Sequence, residues 1–306
     1  MPREDLEEAR IRLYEKKDRK RSMLAVSSLL LALFAFIAFL NLIGSINLGF
    51  RADMRNLDRF LNWLVIAILT FIGPYGFFLA SKNREIRQIE RRLPDFLRDV
   101  AEAGRFGMTL ADAIVVSSSG RYGKLTPEIK KMAAQISWGV PATEALRLFA
   151  QRVKTPMVQR VVAIIAKSSD AGGDVADVLT MVSHDTKENQ LTEDERRIAM
   201  STYIAVIYIS FLVFLVTIWI LNATFLPKML EASGALAGGT SAISSPLAEN
   251  LPEVVYNIRI AFFIATIVHG LGDGILAGVL DNGKIPTGLR HSFIMLIIAL
   301  LGFQVI

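Results

Sequence analysis

Three stretches of this chain run without a charged residue over the length of a membrane crossing, and they constrain its fold more than any other feature. Met23 to Ile43 is the first; at a helical rise of about 1.5 Å per residue it crosses a hydrocarbon core of roughly 30 Å. Phe60 to Ala80 is the second, interrupted only by Asn62, Gly73, Pro74 and Gly76, residues that packing inside a bundle accommodates. Ile198 to Pro227 is the third. Ile260 to Leu280, which contains His269 and Asp273, and the shorter Ser292 to Ile306 bring the expected number of crossings to five. A hydrophobic fraction of 52% and a mean hydropathy of +0.42 fit that reading, because an ordinary soluble domain has nowhere to bury so much apolar surface. Residues 1–22 are mostly charged and precede a core of full spanning length, which fits neither a secretory signal peptide nor a short pilin leader.

Lys and Arg accumulate on the cytoplasmic side of membrane helices, so their placement orients the chain. Arg3, Arg10, Arg12, Lys16, Lys17, Arg19, Lys20 and Arg21 precede the first span, and Lys82, Arg84, Arg87, Arg91 and Arg92 follow the second. The segment from Leu226 to Glu253 offers only Lys228. The tail (1–22) and residues 81–197 are therefore expected inside, with Lys284, Arg290 and His291 in a further inner loop. The loop bearing Arg51, Arg55 and Arg59 falls outside against the rule, offset in part by Asp53 and Asp58. The pI near 9.4 reflects this juxtamembrane charge. No basic stripe interleaved with aromatics points to nucleic acid, and lipid headgroups account for the excess better. With no cysteine there are no disulfides, thiolate metal sites or cysteine nucleophiles. His184, His269 and His291 are too scattered for a local metal motif.

Between Lys82 and Arg197 apolar residues recur at helical spacing, and no alternation is long enough for a strand. Leu93, Phe96, Leu97, Val100 and Gly104 form a first stripe that ends at Gly107. Thr109 with Asp112 resembles a capping box that opens a helix through Leu110, Ile114 and Val115. Thr126 before Pro127 and Thr155 before Pro156 read as N-caps with proline in the first turn. Ile129, Met132, Ala133 and Ile136 face inward on one of these helices, and Val161, Ile164, Ile165 and Ser168 on the other. Gly139 ends one helix and Pro141 opens the next, with Ala142, Ala145, Leu146 and Phe149 inward. A last helix through Val175, Val178, Leu179 and Val182 is expected to continue through the charged stretch 187–197 into the third span. The expected fold is all-α: about five transmembrane helices and a six-helix antiparallel cytoplasmic bundle. Its parts are a basic tail (1–22), two spans with a short outer loop (23–80), the bundle (81–197) and three C-terminal spans (198–306).

Four segments of this region carry a resemblance. Leu93-Pro94-Asp95-Phe96-Leu97, Gly107-Met108-Thr109-Leu110, Gly139-Val140-Pro141-Ala142-Thr143-Glu144-Ala145-Leu146 and Ser169-Asp170-Ala171-Gly172-Gly173-Asp174-Val175 together resemble the type II secretion system F domain family. The tail Gly274-Ile275-Leu276-Ala277-Gly278, with Gly283 and Gly288-Leu289-Arg290-His291-Ser292, looks like its archaeal branch. The resemblance implies a membrane platform protein of a type II secretion, type IV pilus, Tad-type pilus or archaellum machine. It implies a helical cytoplasmic domain between membrane helices, no catalytic site and no cofactor. It also implies, as partners, a hexameric cytoplasmic secretion ATPase, pilin or archaellin subunits, and a second copy or a paired platform subunit. Ser169-Asp170 stands where many bacterial members have Gly-Glu, which keeps the charge. The candidate partner-contact residues are Asp170, Gly172, Gly173 and Asp174, with the basic cluster Arg84, Arg87, Arg91 and Arg92. Blander readings are a capped loop for the first group and a membrane-surface anchor for the second.

Two motifs imitate enzymes. Gly278-x4-Gly283-Lys284 resembles a phosphate-binding loop, but Ile285-Pro286 follows where a hydroxyl is needed for magnesium, and a membrane helix rather than a strand precedes it. Gly270-Leu271-Gly272-Asp273 resembles the motif of intramembrane aspartyl proteases, yet a dyad needs a second acid at membrane depth and the first three spans have none. Gly270, Gly274 and Gly278 repeat every fourth residue and are expected to line a face that admits a neighbouring backbone. His269 and Asp273 on that helix are either a buried polar contact, or groups near the cytoplasmic interface, or, in a rival reading, the ion-coupling groups of a transporter.

Overall fold

The structure, a computed structural model, describes residues 3–45, 55–237 and 246–305 of the 306, with side chains described over 22–45, 55–232 and 250–303. Every regular element among the described residues is helical. Among the described residues, five helical stretches are long and apolar enough to cross a membrane: 22–43, part of 56–105, part of 175–232, 250–282 and 285–303. Arg51, Asp53 and the basic side chains of residues 3–21 lie outside what is described. The chain divides into two compact units, residues 1–80 with 199–306 and residues 81–198.

In the first unit, α1 (Arg3–Ile43) and α2 (Asn56–Glu90) are joined by the Phe34–Trp63 stack, with centroids 5.8 Å apart. The helix of α1 extends back from the first apolar run through the basic leader. The long helix α8 (Val175–Ile220) passes through a π turn at Leu221–Phe225 into α9 (Leu226–Ala237). The turn stands where Pro227 lacks the N–H that an unbroken α-helix would use. Two further helices, α10 (Pro246–Asn282) and α11 (Leu289–Val305), are connected through a 3-10 turn at Ile285–Gly288. One apolar cluster joins Val65 and Leu69 of α2, Leu296 of α11 and Phe263 and Ile267 of α10. Another joins Phe211 of α8 to Met295 and Ala299 of α11. The last helix is thus the central one, packed by α2 and α10 on one side and α8 on the other. Leu29, Val213 and Val268 are more than half exposed, as suits side chains whose solvent is lipid.

The second unit contains the ends of α2 and α8 together with α3 (Leu93–Arg105), α4 (Leu110–Ser117), α5 (Thr126–Ser137), α6 (Ala142–Val153) and α7 (Pro156–Asp170). Its core gathers Phe96, Leu97, Val100, Ile114, Leu125, Ile129, Met132, Leu146, Phe149, Val158, Ile165 and Leu179, all nearly or fully buried. Two caps follow from their sequences. Thr155 accepts from Val158 N at 3.4 Å, and Thr109 Oγ1 accepts from Asp112 N at 3.2 Å. Asp112 does not return to the Thr109 backbone; its Oδ2 accepts a hydrogen bond from the Thr109 hydroxyl at 2.6 Å, the shorter reach expected of aspartate against glutamate.

Thr126 departs from expectation. A 3-10 turn at Gly123–Leu125 runs straight into α5, so Thr126 is already helical, and its hydroxyl instead accepts from Tyr122 N at 2.8 Å. Ile164, expected inside, is 38% exposed, because a stripe that also holds Val161, Val162 and Ile165 is wider than the face it covers. Arg290 and His291, expected in a loop, lie in the first turn of α11.

Candidate functional site

In the second unit the direction of each helix can be read from its cross-helix contacts. Along α3 and α8, Ser183 Oγ donates to Pro94 O at 3.0 Å, Gln190 Nε2 donates to Glu90 O at 2.6 Å, and a Cβ on Gly104 would stand 3.0 Å from that of Ala176. The start of one helix therefore faces the end of the other. Between α5 and α6, Arg152 Nε donates to Glu128 Oε2 at 2.8 Å. Burial works to raise the Glu128 carboxyl, but the hydrogen bond and charge from Arg152 and Lys131 hold it below the ordinary carboxylate value. A two-residue link, Lys154-Thr155, then reverses the chain from α6 into α7.

These reversals bring the α3–α4, α5–α6 and α7–α8 turns to the same end of the unit, and all three are built alike. Gly107, Gly139 and Gly172 have φ of +84°, +89° and +69°. The residue after each glycine bonds back to a carbonyl five positions earlier: Met108 N to Ala103 O, Val140 N to Gln135 O, and Gly173 N to Ser168 O. This is the left-handed C-cap, which satisfies carbonyls that a helix end leaves unpaired.

The acidic segment named from the sequence lies in the third of these turns. Asp170 Oδ2 accepts from Arg147 Nη2 at 2.9 Å. Asp174 Oδ1 accepts from Ala176 N at 2.9 Å and Asp177 N at 3.2 Å, capping α8. Gly172 has open space around it, and a Cβ on Gly173 would sit 3.3 Å from Ser168 Oγ. At the opposite end of the unit, Arg84 and Arg87 lie one turn apart near the end of α2, and Arg91 follows in the turn just beyond it, its N–H donating to Arg87 O at 2.9 Å. Arg84, Arg91 and Arg92 are exposed, and Arg92 Nη1 lies 3.2 Å from Asp95 Oδ2. The structure thus puts the acidic segment and the basic cluster at opposite ends of the helical unit rather than in one site.

In the first unit Gly274 and Gly278 of α10 meet the first turn of α11 and the 3-10 turn before it. A Cβ on Gly274 would fall well inside contact distance of the Ser292 backbone, and one on Gly278 inside that of Gly288. Gly270 is looser, with Phe211 at 3.4 Å from such an atom. Ser292 Oγ donates to Leu271 O at 3.0 Å and Thr287 Oγ1 to Gly278 O at 2.9 Å, so the close approach is also hydrogen-bonded. Two contacts were not foreseen: Gly73 against the Phe293 ring, and Gly76 against the backbone of Leu289 and Arg290. They extend the same arrangement to α2.

His269 Nε2 lies 3.2 Å from Asp273 Oδ2, and the Phe214 ring stands 4.5 Å from the imidazole. Histidine, not a second carboxylate, is the ionisable partner of Asp273, which does not supply a shared-proton dyad. Among the described residues no cluster of three or more His, Asp or Glu side chains has a metal-holding arrangement.

Sequence reasoning missed a second polar group, where Asp281 of α10 meets the first turn of α11. Arg290 Nη2 lies 3.8 Å from Asp281 Oδ2 and 3.1 Å from His291 Nε2, while Tyr208 Oη lies 2.8 Å from His291 Nδ1. Arginine only donates, so Nε2 accepts, and the proton of a neutral imidazole then resides on Nδ1 and faces Tyr208. The available signal was an acid and a base of opposite sign on either side of the Gly283–Pro286 reversal.

Comparison with known proteins adds three findings. Residues 96–222 match the family model described as type II secretion system (T2SS), protein F. An uncharacterized protein of Methanocaldococcus jannaschii is 30% identical over 247 residues, covering 79% of this chain; the chain spans 38% of that relative's length. No solved structure matches.

Proposed function

We propose, from the premise that residues 96–222 are a domain of the type II secretion system protein F family, that this chain is a non-enzymatic platform subunit of a type IV filament or type II-like secretion machine. The observation that carries the reading is the setting of that domain. Its helices lie between apolar helices of membrane-crossing length, and α8, a single helix of 46 residues, contributes to both units.

In this reading the helical unit faces the cytoplasm and binds a hexameric secretion ATPase, and the membrane helices receive pilin or archaellin subunits and pass them to the filament. The chain works as a homodimer or beside a paired platform subunit. The M. jannaschii relative makes the archaeal setting the favoured one. The basic cluster Arg84, Arg87, Arg91 and Arg92 anchors the unit at anionic headgroups, and α8 carries ATPase motion towards the membrane helices. A rigid helix is the physical requirement for that step.

Capture of the tagged chain from solubilised membranes tests the reading: the ATPase and a pilin are expected to copurify, and recovery of neither would overturn it. One observation favours a second reading, ion or proton coupling. It is the His269–Asp273 pair, whose imidazole is 41% exposed on a helix of membrane-crossing length. Proton flux into vesicles containing the purified chain separates the two.

A further inference from the structure

The end of the helical unit that carries the three glycine turns also carries its most exposed aromatic side chains. Phe106 is 85% exposed and Trp138 is 72% exposed. They occupy the same position in their turns, immediately before Gly107 and Gly139, at the C-caps of α3 and α5. Met108, in the first of these turns, is 41% exposed. Each aromatic is held on a hydrogen-bonded, left-handed cap, so it is presented by a rigid turn and pays little ordering entropy on contact. Single exposed apolar residues are ordinary. Two large aromatics in equivalent places on successive hairpins, both at the end remote from the basic cluster, are not explained by packing within the unit.

The charge around them selects the partner. At this end Asp112, Glu144 and Asp177 in first turns of helices, Asp174 at the cap of α8 and Asp170 outnumber Arg105, Lys167 and Arg147, the last of which lies 2.9 Å from Asp170 and 3.9 Å from Glu144. An acidic surround is repelled by anionic headgroups, so these rings are not placed for insertion into lipid, in contrast to the arginine-rich opposite end. Acidic charge around protruding aromatics is complementary to a protein surface with apolar hollows rimmed by Lys and Arg, and buried aromatics of this kind dominate interface energetics.

We infer that this aromatic, acid-rimmed end of the helical unit, through Phe106 and Trp138, is its docking surface for the secretion ATPase. The inference rests on the platform reading and adds to it which surface is used.

The test uses the full chain in membranes of cells that also produce the ATPase of the same machine. Phe106→Ser combined with Trp138→Ser is expected to keep the thermal stability of the wild type, since both side chains are exposed, and to lower ATPase capture ten-fold or more. Val116→Ser, also at an exposed apolar position but at the other end of α4, is expected to capture normally. A photo-crosslinking amino acid at 106 or 138 is expected to yield an adduct with the ATPase. If the wild type captures the ATPase and the double variant captures it equally, the docking surface is wrong and the platform reading stands. If the wild type captures none, the platform reading fails and takes this assignment with it. Adducts with lipid or with a second copy of the chain, or no adduct at either position, overturn the assignment.

Discussion

Gly278 on α10 and Gly288, at the end of the 3-10 turn before α11, meet backbone to backbone, with no room for a side chain at Gly278. Because the obstacle is main chain and not the end of a flexible side chain, it cannot be relieved by a rotamer change. Gly278→Val is expected to cost about 2 to 3 kcal/mol, the upper range for overpacking a tight interface. Gly272→Ala on the same helix meets nothing within 4 Å and is expected to be neutral or slightly stabilising. Thermal unfolding of the two variants in detergent checks the contrast.

Tyr122 ties the start of the helical unit together. Its single hydroxyl proton is shared between Asp99 Oδ2 at 2.6 Å and Ser117 O at 2.9 Å, and its ring stands edge-on to Phe96 with centroids 5.4 Å apart. Tyr122→Phe is expected to lose about 1 to 2 kcal/mol, because it removes a hydrogen bond to a carboxylate, while Ser117 O keeps its bond from Gly120 N. Gly120→Ala, whose new methyl would collide with the Tyr122 ring, is expected to destabilise as well. Burial first, and then Asp99, raise the phenol above its ordinary value. The stability this contributes is complete below the unfolded-state pKa and disappears as pH climbs through the folded one, so the wild type loses more stability than Tyr122→Phe above about pH 10. Denaturant unfolding across alkaline pH measures it.

Glu128 gives the opposite dependence. Its carboxyl is held below the ordinary value in the fold despite burial, so its contribution is present above the unfolded-state pKa and is lost as pH falls through the folded one. Between about pH 6 and pH 3, Glu128→Gln is expected to show a shallower loss of stability than the wild type. Arg152→Ala at neutral pH is expected to cost about 1 kcal/mol, as for other partly exposed ion pairs. The same unfolding measurement, taken to acid, decides both.

Asp273→Asn keeps the shape of the side chain and removes its charge. On the platform reading it leaves filament assembly and ATPase capture unchanged, whereas on the transporter reading it abolishes proton flux. Filament counts by electron microscopy and dye-reported flux in vesicles give the two readouts.

Much of this architecture was legible because lipid and helix termini impose simple rules. Charge-free runs of spanning length, a hydroxyl before an apolar stripe at Thr109 and Thr155, and glycine at left-handed caps each leave a local signature. Thr126 shows the limit of such rules: the same Thr-Pro pattern caps a helix only if the chain arrives extended, and here a 3-10 turn delivers it already helical. The group formed by Asp281, Arg290, His291 and Tyr208 depends on how the α10–α11 reversal aligns with α8, which no local pattern encodes. Phe106 and Trp138 were hidden for a related reason. An aromatic at the edge of a stripe reads as core until the turn that carries it is seen to point away from the bundle.

The cysteine-free sequence offers the most direct test of the account, the cytoplasmic placement of residues 81–198. Single variants Lys187→Cys, in the helical unit, and Lys228→Cys, beyond the third span, both lie at exposed positions. With a membrane-impermeant maleimide, Lys228→Cys is expected to react in intact cells, and Lys187→Cys only once the membrane is opened or inverted. Labelling of Lys187→Cys from outside the intact cell would contradict the platform reading.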